Sequence, residues 1–278
     1  MTARIVPSRY LEYGGVAPAR SLDASAALAY LTSKGFGDNY LEQSRVALSL
    51  RSGEEPDVST ATEATCNFCG RPLMGGEFDR LGDGRQRCIT CSKTAVATQE
   101  EFVAVFKEVK RNFEVIFEVQ FRVVMTVRME NAKTIARHTT ENPRSAPGFD
   151  ARVLGFARET ANGYDLYVEN GSPRLPTIWT LAHELTHVWQ YRTWDRGMIR
   201  AKYGAENELF IYEGMAAWAS LQYLHCTGET DFARREAANT RSRDDEYGAG
   251  FRLFEDRYPL RSAGTVLKDT PFKHPTPL

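Results

Sequence analysis

The sequence of 278 residues has no long apolar run and no strong charge of either sign. No stretch approaches the roughly 20 apolar residues that a transmembrane helix needs, and the first residues, MTARIVPSRYLEYGG, lack the apolar core of a secretory signal. Because 35 basic residues nearly balance 36 acidic ones, no nucleic-acid or anionic-membrane partner is indicated. These absences predict a soluble, cytoplasmic protein that binds neither nucleic acid nor membranes.

Cysteine is scarce, and four of the five cysteines stand in pairs. Cys66 and Cys69 form one Cys-x-x-Cys pair, Cys88 and Cys91 form a second, and Cys226 stands alone, where we expect a buried core residue. Each pair lets two thiolates reach one ion from a tight turn, and two pairs complete a tetrahedral zinc site without an open position. Without a secretory signal, this spacing favours structural zinc over disulfides or a redox pair.

The hydrophobic pattern changes its period along the chain and predicts an α+β fold. A capping box from Thr98 to Glu101 opens a helix, and alternating apolar residues from Phe117 to Met129 predict one long half-buried strand. Two further strands flank the hairpin signal Ala161-Asn162-Gly163. Helical patterns then occupy about 177–194, 206–224 and 250–260. This order of helix, strands and helices argues against alternating βαβ units.

Three segments follow from these patterns. Residues 1–60 comprise a partly helical segment and a polar, acidic linker, and they have no assigned role. Residues 61–95 form a four-cysteine, zinc-ribbon or LIM-like module, and residues 96–278 contain the remaining helices and strands.

The stretch LAHELTHVWQY places two histidines four residues apart on a predicted helix. His183 and His187 therefore share one helix face and can bind the same ion, whereas an ordinary helix with two histidines is the alternative. Glu184 is offset by one position, which suits a general base acting on metal-bound water. An apolar stripe lies on the opposite side of the helix, so we expect both histidines to face a cleft or solvent. The stripe consists of Ile178, Leu181, Ala182, Leu185, Val188 and Trp189.

A catalytic zinc site needs a third protein ligand, and Glu213 is the best candidate. It is the only charged side chain within 209–224, where a buried carboxylate is unfavourable unless it is paired or binds a metal. Gly214 beside it indicates close packing against another helix. A glutamate 26 positions after His187 is the gluzincin arrangement. Asp195 ranks second as a ligand, and a metzincin histidine is excluded because its position holds Thr193.

With these residues assembled, the chain resembles the LIM-containing, ubiquitin-activated growth-regulating peptidases of plants, the DA-one type, and their microbial relatives. The resemblance extends over about residues 66–272 and rests on several motifs in the same order. They are DGR at Asp83 to Arg85, CITC, PRL at Pro173 to Leu175, HELTH, YEG at Tyr212 to Gly214 and YGAGFR at Tyr247 to Arg252.

The resemblance implies a gluzincin-like zinc peptidase domain, with a small sheet over the HExxH helix and a second helix that brings the glutamate. It implies an endopeptidase acting on protein or peptide substrates, with one catalytic zinc on His183, His187 and Glu213 and a structural zinc in the cysteine module. Glu184 would be the catalytic carboxylate. The plant proteins have ubiquitin-interacting segments and a fuller LIM region, so activation by ubiquitin is not carried over.

Several roles stay open at the level of sequence. Tyr247 and His225 are candidates for the oxyanion stabiliser that peptide hydrolysis needs, although either can be structural. The strand at 164–169 is a candidate edge for an extended substrate. Ala217 stands where thermolysin-like enzymes often carry an acidic residue, so the orienting partner of the histidines must come from elsewhere.

Two functions from other classes are weighed against the peptidase. The first is a latent or inactive metallopeptidase-fold regulatory protein whose four-cysteine module docks a protein partner. The intact HELTH motif and Glu213 argue against a dead site. The second is a DNA-linked regulator with a zinc ribbon, against which the net charge of −1 and the lack of a basic patch count.

Overall fold

The computed structural model describes residues 65–69, 71–73, 78–82, 84–138 and 154–274. The helical patterns and the linker expected within residues 1–60 lie outside these ranges. Within them the α+β class is confirmed, because helices pack on two small sheets. None of the described helices is long and apolar enough to cross a membrane.

The four-cysteine module is built on a short hairpin. Strand β1 (Phe78–Arg80) pairs antiparallel with β2 (Gln86–Cys88), and helix α1 (Ile89–Lys93) follows directly. Three of the cysteines are buried in a small core of their own, against Phe68 and Leu73. A metal ion bound by the cysteines would stabilise so small a core.

Helix α2 (Gln99–Phe117) begins with the expected capping box but ends later than the sequence pattern suggests. The expectation of one long strand from Phe117 is wrong, because only β3 (Met125–Glu130) forms. Phe113 and Phe117 lie one helical turn apart with ring centroids 4.6 Å from each other, and both are buried. Glu118 then ends the helix in the left-handed conformation. The alternation up to residue 123 therefore reflects a helix end and a connecting segment with buried apolar side chains.

The second sheet consists of β3, β4 (Gly155–Thr160) and β5 (Gly163–Glu169), in the order β3-β5-β4. The predicted hairpin is confirmed, since β4 and β5 are antiparallel and joined through Ala161 and Asn162. Strand β3 pairs parallel with β5, and helix α3 (Ala132–His138) follows β3 in the chain. Strand β5 is central, so the expectation that 164–169 offers a free edge is wrong. The edge on the hairpin side is β4.

Helix α4 (Arg174–Thr193) carries the HELTH motif and begins three residues before the predicted start. Pro176 lies in the first turn of the helix, where its missing N–H has no helical partner to lose. The predicted apolar stripe is buried throughout. The helix packs against α2, the sheet and a later helix, Glu208–Thr227.

The C-terminal part of the described chain is helical. Its elements are α5 (Arg196–Tyr203), a 3₁₀ turn (Ala205–Asn207), α6 (Glu208–Thr227), α7 (Thr230–Arg241), α8 (Glu246–Arg257) and a 3₁₀ turn (Pro271–Lys273). Helix α6 is buried along almost its whole length and is enclosed by α4, α7 and α8. In the last turn, Phe272 packs against Phe113, Phe117 and Trp189. Phe272 therefore packs between α2 and the side of α4 that carries Trp189.

The cysteine module contacts the segment that leads into α4. Val96 N donates to Ser172 O at 3.0 Å, and Arg174 N donates to Thr94 O at 2.8 Å. Arg85 is buried and forms an ion pair with Glu169 at 2.5 Å. The module and the helix of the HELTH motif are thus joined by backbone and side-chain contacts over a few residues.

Candidate metal centres

His183, His187 and Glu213 converge, as the sequence pattern predicts. Nε2 of His183 lies 3.0 Å from Nε2 of His187 and 3.0 Å from a carboxylate oxygen of Glu213. Nε2 of His187 lies 3.4 Å from the other oxygen of Glu213. Ligands about 2 Å from a shared zinc ion lie roughly 3.3 Å apart in a tetrahedron. Two imidazole nitrogens and a carboxylate oxygen at these separations fit zinc.

Close packing of helices brings Glu213 to the histidines. Gly214 faces Gly250 of α8, and a Cβ atom at either position would overlap the backbone of the other helix. This confirms the expected packing role of Gly214. The close approach of α8 holds α6 in place, so that Glu213 points at α4 from a buried position.

The electrostatics of this cluster follow from burial and the two carboxylates. Burial lowers the pKa of His183 in spite of Glu213 beside it. Burial opposes the charged form of His187 too, but Glu213 and Glu184 outweigh it and raise its pKa to about 9. Burial works against the charge of Glu213, yet the two imidazoles hold the pKa of its carboxyl well below the usual range. The cluster therefore favours an ionised Glu213 beside a positively charged group. A bound divalent metal ion would be such a group.

Glu184 lies on the same helix, beneath the edge strand β4. Its Oε1 is 3.3 Å from the position of a Cβ atom on Gly155. The side chain is buried, and its charge reaches His187, whose pKa it raises. The carboxylate is therefore next to the metal-binding group without belonging to it, as expected for a proton acceptor.

Aromatic rings lie beside both histidines. Tyr247, near the start of α8, stacks against His183 with ring centroids 6.1 Å apart. Tyr191 stacks against His187 at 5.9 Å and is 44% exposed. The guanidinium of Arg243 lies 4.6 Å above the ring of Tyr247. Tyr247 thus lies where a role in the site is possible, and Tyr191 is a neighbour that the sequence analysis missed, although it is one helical turn after His187.

Two other candidates are not at the site. His225 lies in the last turn of α6, twelve residues after Glu213, which places it about 18 Å along a continuous helix. It is buried near α7 and α8, where burial, with Arg234 and Arg241, lowers its pKa. The interpretation of His225 as an oxyanion stabiliser is therefore wrong. Asp195 caps α5 by accepting from Met198 N at 3.0 Å, and it is no metal ligand.

His187 has a partner on its other nitrogen. Its Nδ1 lies 2.8 Å from Oε1 of Gln190, and Nε2 of Gln190 donates to Tyr212 O at 2.9 Å. Gln190 is therefore the partner expected elsewhere than Ala217, and no sequence motif identified it. Its signal is the spacing, since a glutamine three residues after a histidine lies on the same helix face.

The four cysteines of the module also converge. The sulfurs of Cys69 and Cys88 are 3.8 Å apart, close to the roughly 3.8 Å expected for thiolates that share a zinc ion at about 2.3 Å. Cys69 and Cys91 donate to Cys66 and lower the pKa of its thiol far below the usual value. All four sulfurs lie within 4.8 Å of one another, which fits a closed tetrathiolate site. Cys226 lies apart and is buried, as expected.

Comparisons with known proteins returned no match, whether with protein-family models, curated proteins or solved structures. The resemblance to the DA-one-type peptidases stays an expectation from the sequence motifs. The function therefore has to be argued from the geometry of the two ligand clusters.

Proposed function

We propose that this chain is a zinc-dependent endopeptidase of the gluzincin type, acting on protein or peptide substrates. The observation that carries the proposal is the convergence of His183, His187 and Glu213, with Glu184 beside them in the interior. Three ligands leave one tetrahedral position for water or substrate, which distinguishes a catalytic zinc site from the closed four-cysteine site.

Zinc, when bound, supplies a Lewis acid that polarises the substrate carbonyl and lowers the pKa of a coordinated water to about 7. Glu184 takes the proton from the attacking water and passes it to the amine that leaves when the peptide bond breaks. Its position under β4 supports this role because the strand covers one side of the carboxylate. Burial keeps bulk water from competing for the same proton.

The outer edge of β4, which among the described strands pairs with β5 alone, is the proposed binding site for an extended substrate. An edge strand offers unpaired N–H and C=O groups to which a peptide can add as a further strand. Gly155, at the start of β4, lies against Glu184 and Thr180, so a peptide on this edge runs past the carboxylate. The assignment replaces β5, which has neighbours on both sides.

Tyr247 is the proposed oxyanion stabiliser. Its ring stacks on His183, which places a phenol donor next to the metal-binding group. A hydrogen-bond donor that acts on the developing oxyanion contributes about 2.7–4 kcal/mol in comparable sites.

Two variants test the function. Glu184→Gln removes the proton acceptor but none of the metal ligands, so it should retain zinc and lose about 10²–10⁴-fold in peptide cleavage. His187→Ala removes a ligand and should retain the zinc of the cysteine module alone. Metal analysis together with cleavage of an unstructured protein, with and without a chelator, measures both effects.

Three results would contradict the proposal. Unchanged zinc content in His187→Ala would refute the ligand assignment, and full activity in Glu184→Gln would refute the general base. A wild-type chain with two zinc ions that cleaves no member of a panel of unstructured proteins would favour the alternative, a latent or inactive metallopeptidase-fold regulatory protein.

A further inference from the structure

Gln190 connects the two helices that carry the metal ligands. It is completely buried at the inner side of α4. Its Oε1 lies 2.8 Å from Nδ1 of His187, and its Nε2 donates to the backbone carbonyl of Tyr212 at 2.9 Å. Tyr212 directly precedes Glu213 on α6. One amide side chain therefore links a histidine ligand to the backbone beside the glutamate ligand.

The backbone carbonyl determines the orientation of this amide. A carbonyl oxygen can only accept a hydrogen bond, so the NH₂ group of Gln190 must face Tyr212. The amide oxygen of Gln190 then faces His187, and it too can only accept. Nδ1 of His187 must therefore carry the hydrogen. In the neutral ring this leaves the lone pair on Nε2, the atom that faces His183 and Glu213.

We propose that Gln190 is a positioning residue that holds His187 in the tautomer and ring orientation needed for metal binding. The inference rests on the proposed function only in that it requires His187 to be a metal ligand. Gln190 acts through His187 and has no role in the chemical step itself. The rigid link to Tyr212 also sets the distance between α4 and α6, on which the separation of His187 and Glu213 depends.

Gln222, which lies on α6, provides a matched control. Like Gln190 it is completely buried, and its amide oxygen and nitrogen are both hydrogen-bonded, here to backbone atoms. Its Nε2 donates to Arg261 O at 2.8 Å, and its Oε1 accepts from Arg261 N at 2.8 Å. It follows Glu213 by nine positions, about 13 Å along α6. Replacing it removes the same groups from the interior without touching the metal ligands.

The experiment measures the affinity of the histidine site for zinc by competition with a chelator in Gln190→Met, Gln190→Glu and Gln222→Met. His187→Ala identifies which zinc ion belongs to this site. We expect Gln190→Met to bind zinc about 10–100-fold more weakly, the range for loss of a hydrogen-bond partner of a ligand histidine. Gln190→Glu should recover most of the affinity, because a carboxyl group keeps an acceptor toward Nδ1 and, when protonated, can also donate to the Tyr212 carbonyl. Gln222→Met should bind zinc like the wild type.

A second measurement does not depend on affinity. In the zinc-loaded protein with ¹⁵N-labelled histidine, the Nδ1 hydrogen of His187 should give an NMR signal protected from solvent exchange. Gln190→Met should lose this protection, and Gln222→Met should keep it. If Gln190→Met does not fold, the wild-type spectrum still decides whether Nδ1 carries the hydrogen.

Unchanged zinc affinity in Gln190→Met, an equal loss in Gln222→Met, or a His187 ring without a hydrogen on Nδ1 would each overturn the inference. Failure of the proposed function gives a different result. Neither the wild type nor any variant would then cleave peptides, although Gln190→Met would still bind zinc more weakly than Gln222→Met and the wild type.

Discussion

Glu184 and Glu213 are both buried carboxylates, and their neighbours give them different chemistry. Glu213 lies between two imidazoles, and these hold the pKa of its carboxyl well below the usual range. Glu184, one residue after a histidine ligand, instead points toward β4. A ligand has to stay ionised and fixed, whereas a proton acceptor needs access to the substrate. The helical offset of about 100° between His183 and Glu184 turns the carboxylate of Glu184 away from the face that carries the two histidines.

Gly155 tests how closely the proposed substrate edge and the proposed proton acceptor must fit. A Cβ atom in Gly155→Ala would lie 2.7 Å from Cγ2 of Thr180 and 3.3 Å from Oε1 of Glu184. Strand β4 or the side chain of Thr180 must then shift, which changes the fit of β4 against Glu184, and a misplacement of about 1 Å can reduce catalysis by about 10²-fold. We expect kcat/KM to fall by about this factor while zinc content stays at the wild-type value.

The control for this substitution is Gly82→Ala, because a Cβ atom there has no neighbour within 4 Å. It should leave cleavage unchanged. Full activity of Gly155→Ala would show that β4 does not constrain Glu184.

Among the elements, the crossing of α6 and α8 determines where the glutamate ligand lies. The two helices touch through Gly214 and Gly250, with no side chain between their backbones. The same crossing brings Tyr247, three residues before Gly250, next to His183. One pair of glycines therefore positions both a metal ligand and the proposed oxyanion stabiliser.

Gly214→Ala should separate these helices. Alanine favours a helix over glycine by about 1 kcal/mol, but overpacking a tight core contact destabilises by typically 1–3 kcal/mol. Because backbone atoms of Gly250 cannot move aside as a flexible side chain can, the second effect should dominate. We expect a lower free energy of unfolding and weaker zinc binding at the histidine site.

Thermal unfolding and chelator competition measure the two effects. The reciprocal variant Gly250→Ala should behave in the same way, because its Cβ atom would lie 2.7 Å from Cα of Gly214. If either variant were as stable as the wild type and bound zinc as well, the crossing would not position Glu213.

In the molecule as a whole, the four-cysteine module supports helix α4, which carries the two histidines. Arg85 of the module pairs with Glu169 at the end of β5, and the side chains are only 7% and 1% exposed. Arg87 adds a bond to Gly171 O at 2.8 Å. These contacts hold residues 169–171, which lead into α4. The position of α4 therefore depends on the cysteine module as well as on the helices around it.

Arg85→Met should therefore destabilise the whole protein. Removing one partner of a buried ion pair costs about 3–5 kcal/mol, because the other charge stays buried without compensation. The double variant Arg85→Met/Glu169→Leu should recover part of this loss, since it removes both charges. Denaturant unfolding of the zinc-loaded single and double variants measures the coupling.

Arg234→Met is the matched control, because Arg234 and its partner Asp231 are each 70% exposed. It should change stability by less than about 0.5 kcal/mol. If Arg85→Met were equally neutral, or if the module unfolded in a separate transition, the module would not support the helix.

Features that depend on local spacing could be predicted from the sequence. The cysteine pairs, the histidine pair of α4 and the Asn-Gly hairpin each lie within a few residues, and a helix or turn of known geometry places them. Glu213 could be selected because a single charge in an apolar helix needs a partner. The prediction of a long strand from Phe117 was wrong because apolar and polar residues also alternate where a helix ends in a buried connecting segment. Helices α5 and α7 were missed because their apolar faces are narrow.

The sequence by itself determined the ligand types, their spacing on each helix and the closed four-cysteine cluster. Only the tertiary structure decided that β5 is central and β4 is the edge, because strand order depends on contacts between distant parts of the chain. It also placed Tyr247 beside His183 and His225 far from the site. Gln190 became meaningful only when α4 and α6 were packed together, since its second hydrogen bond goes to a backbone carbonyl on another helix. The spacing of side chains along one helix can be predicted from the sequence, because helix geometry is known. The distance between two helices depends on how the core packs, so only the tertiary structure gives it.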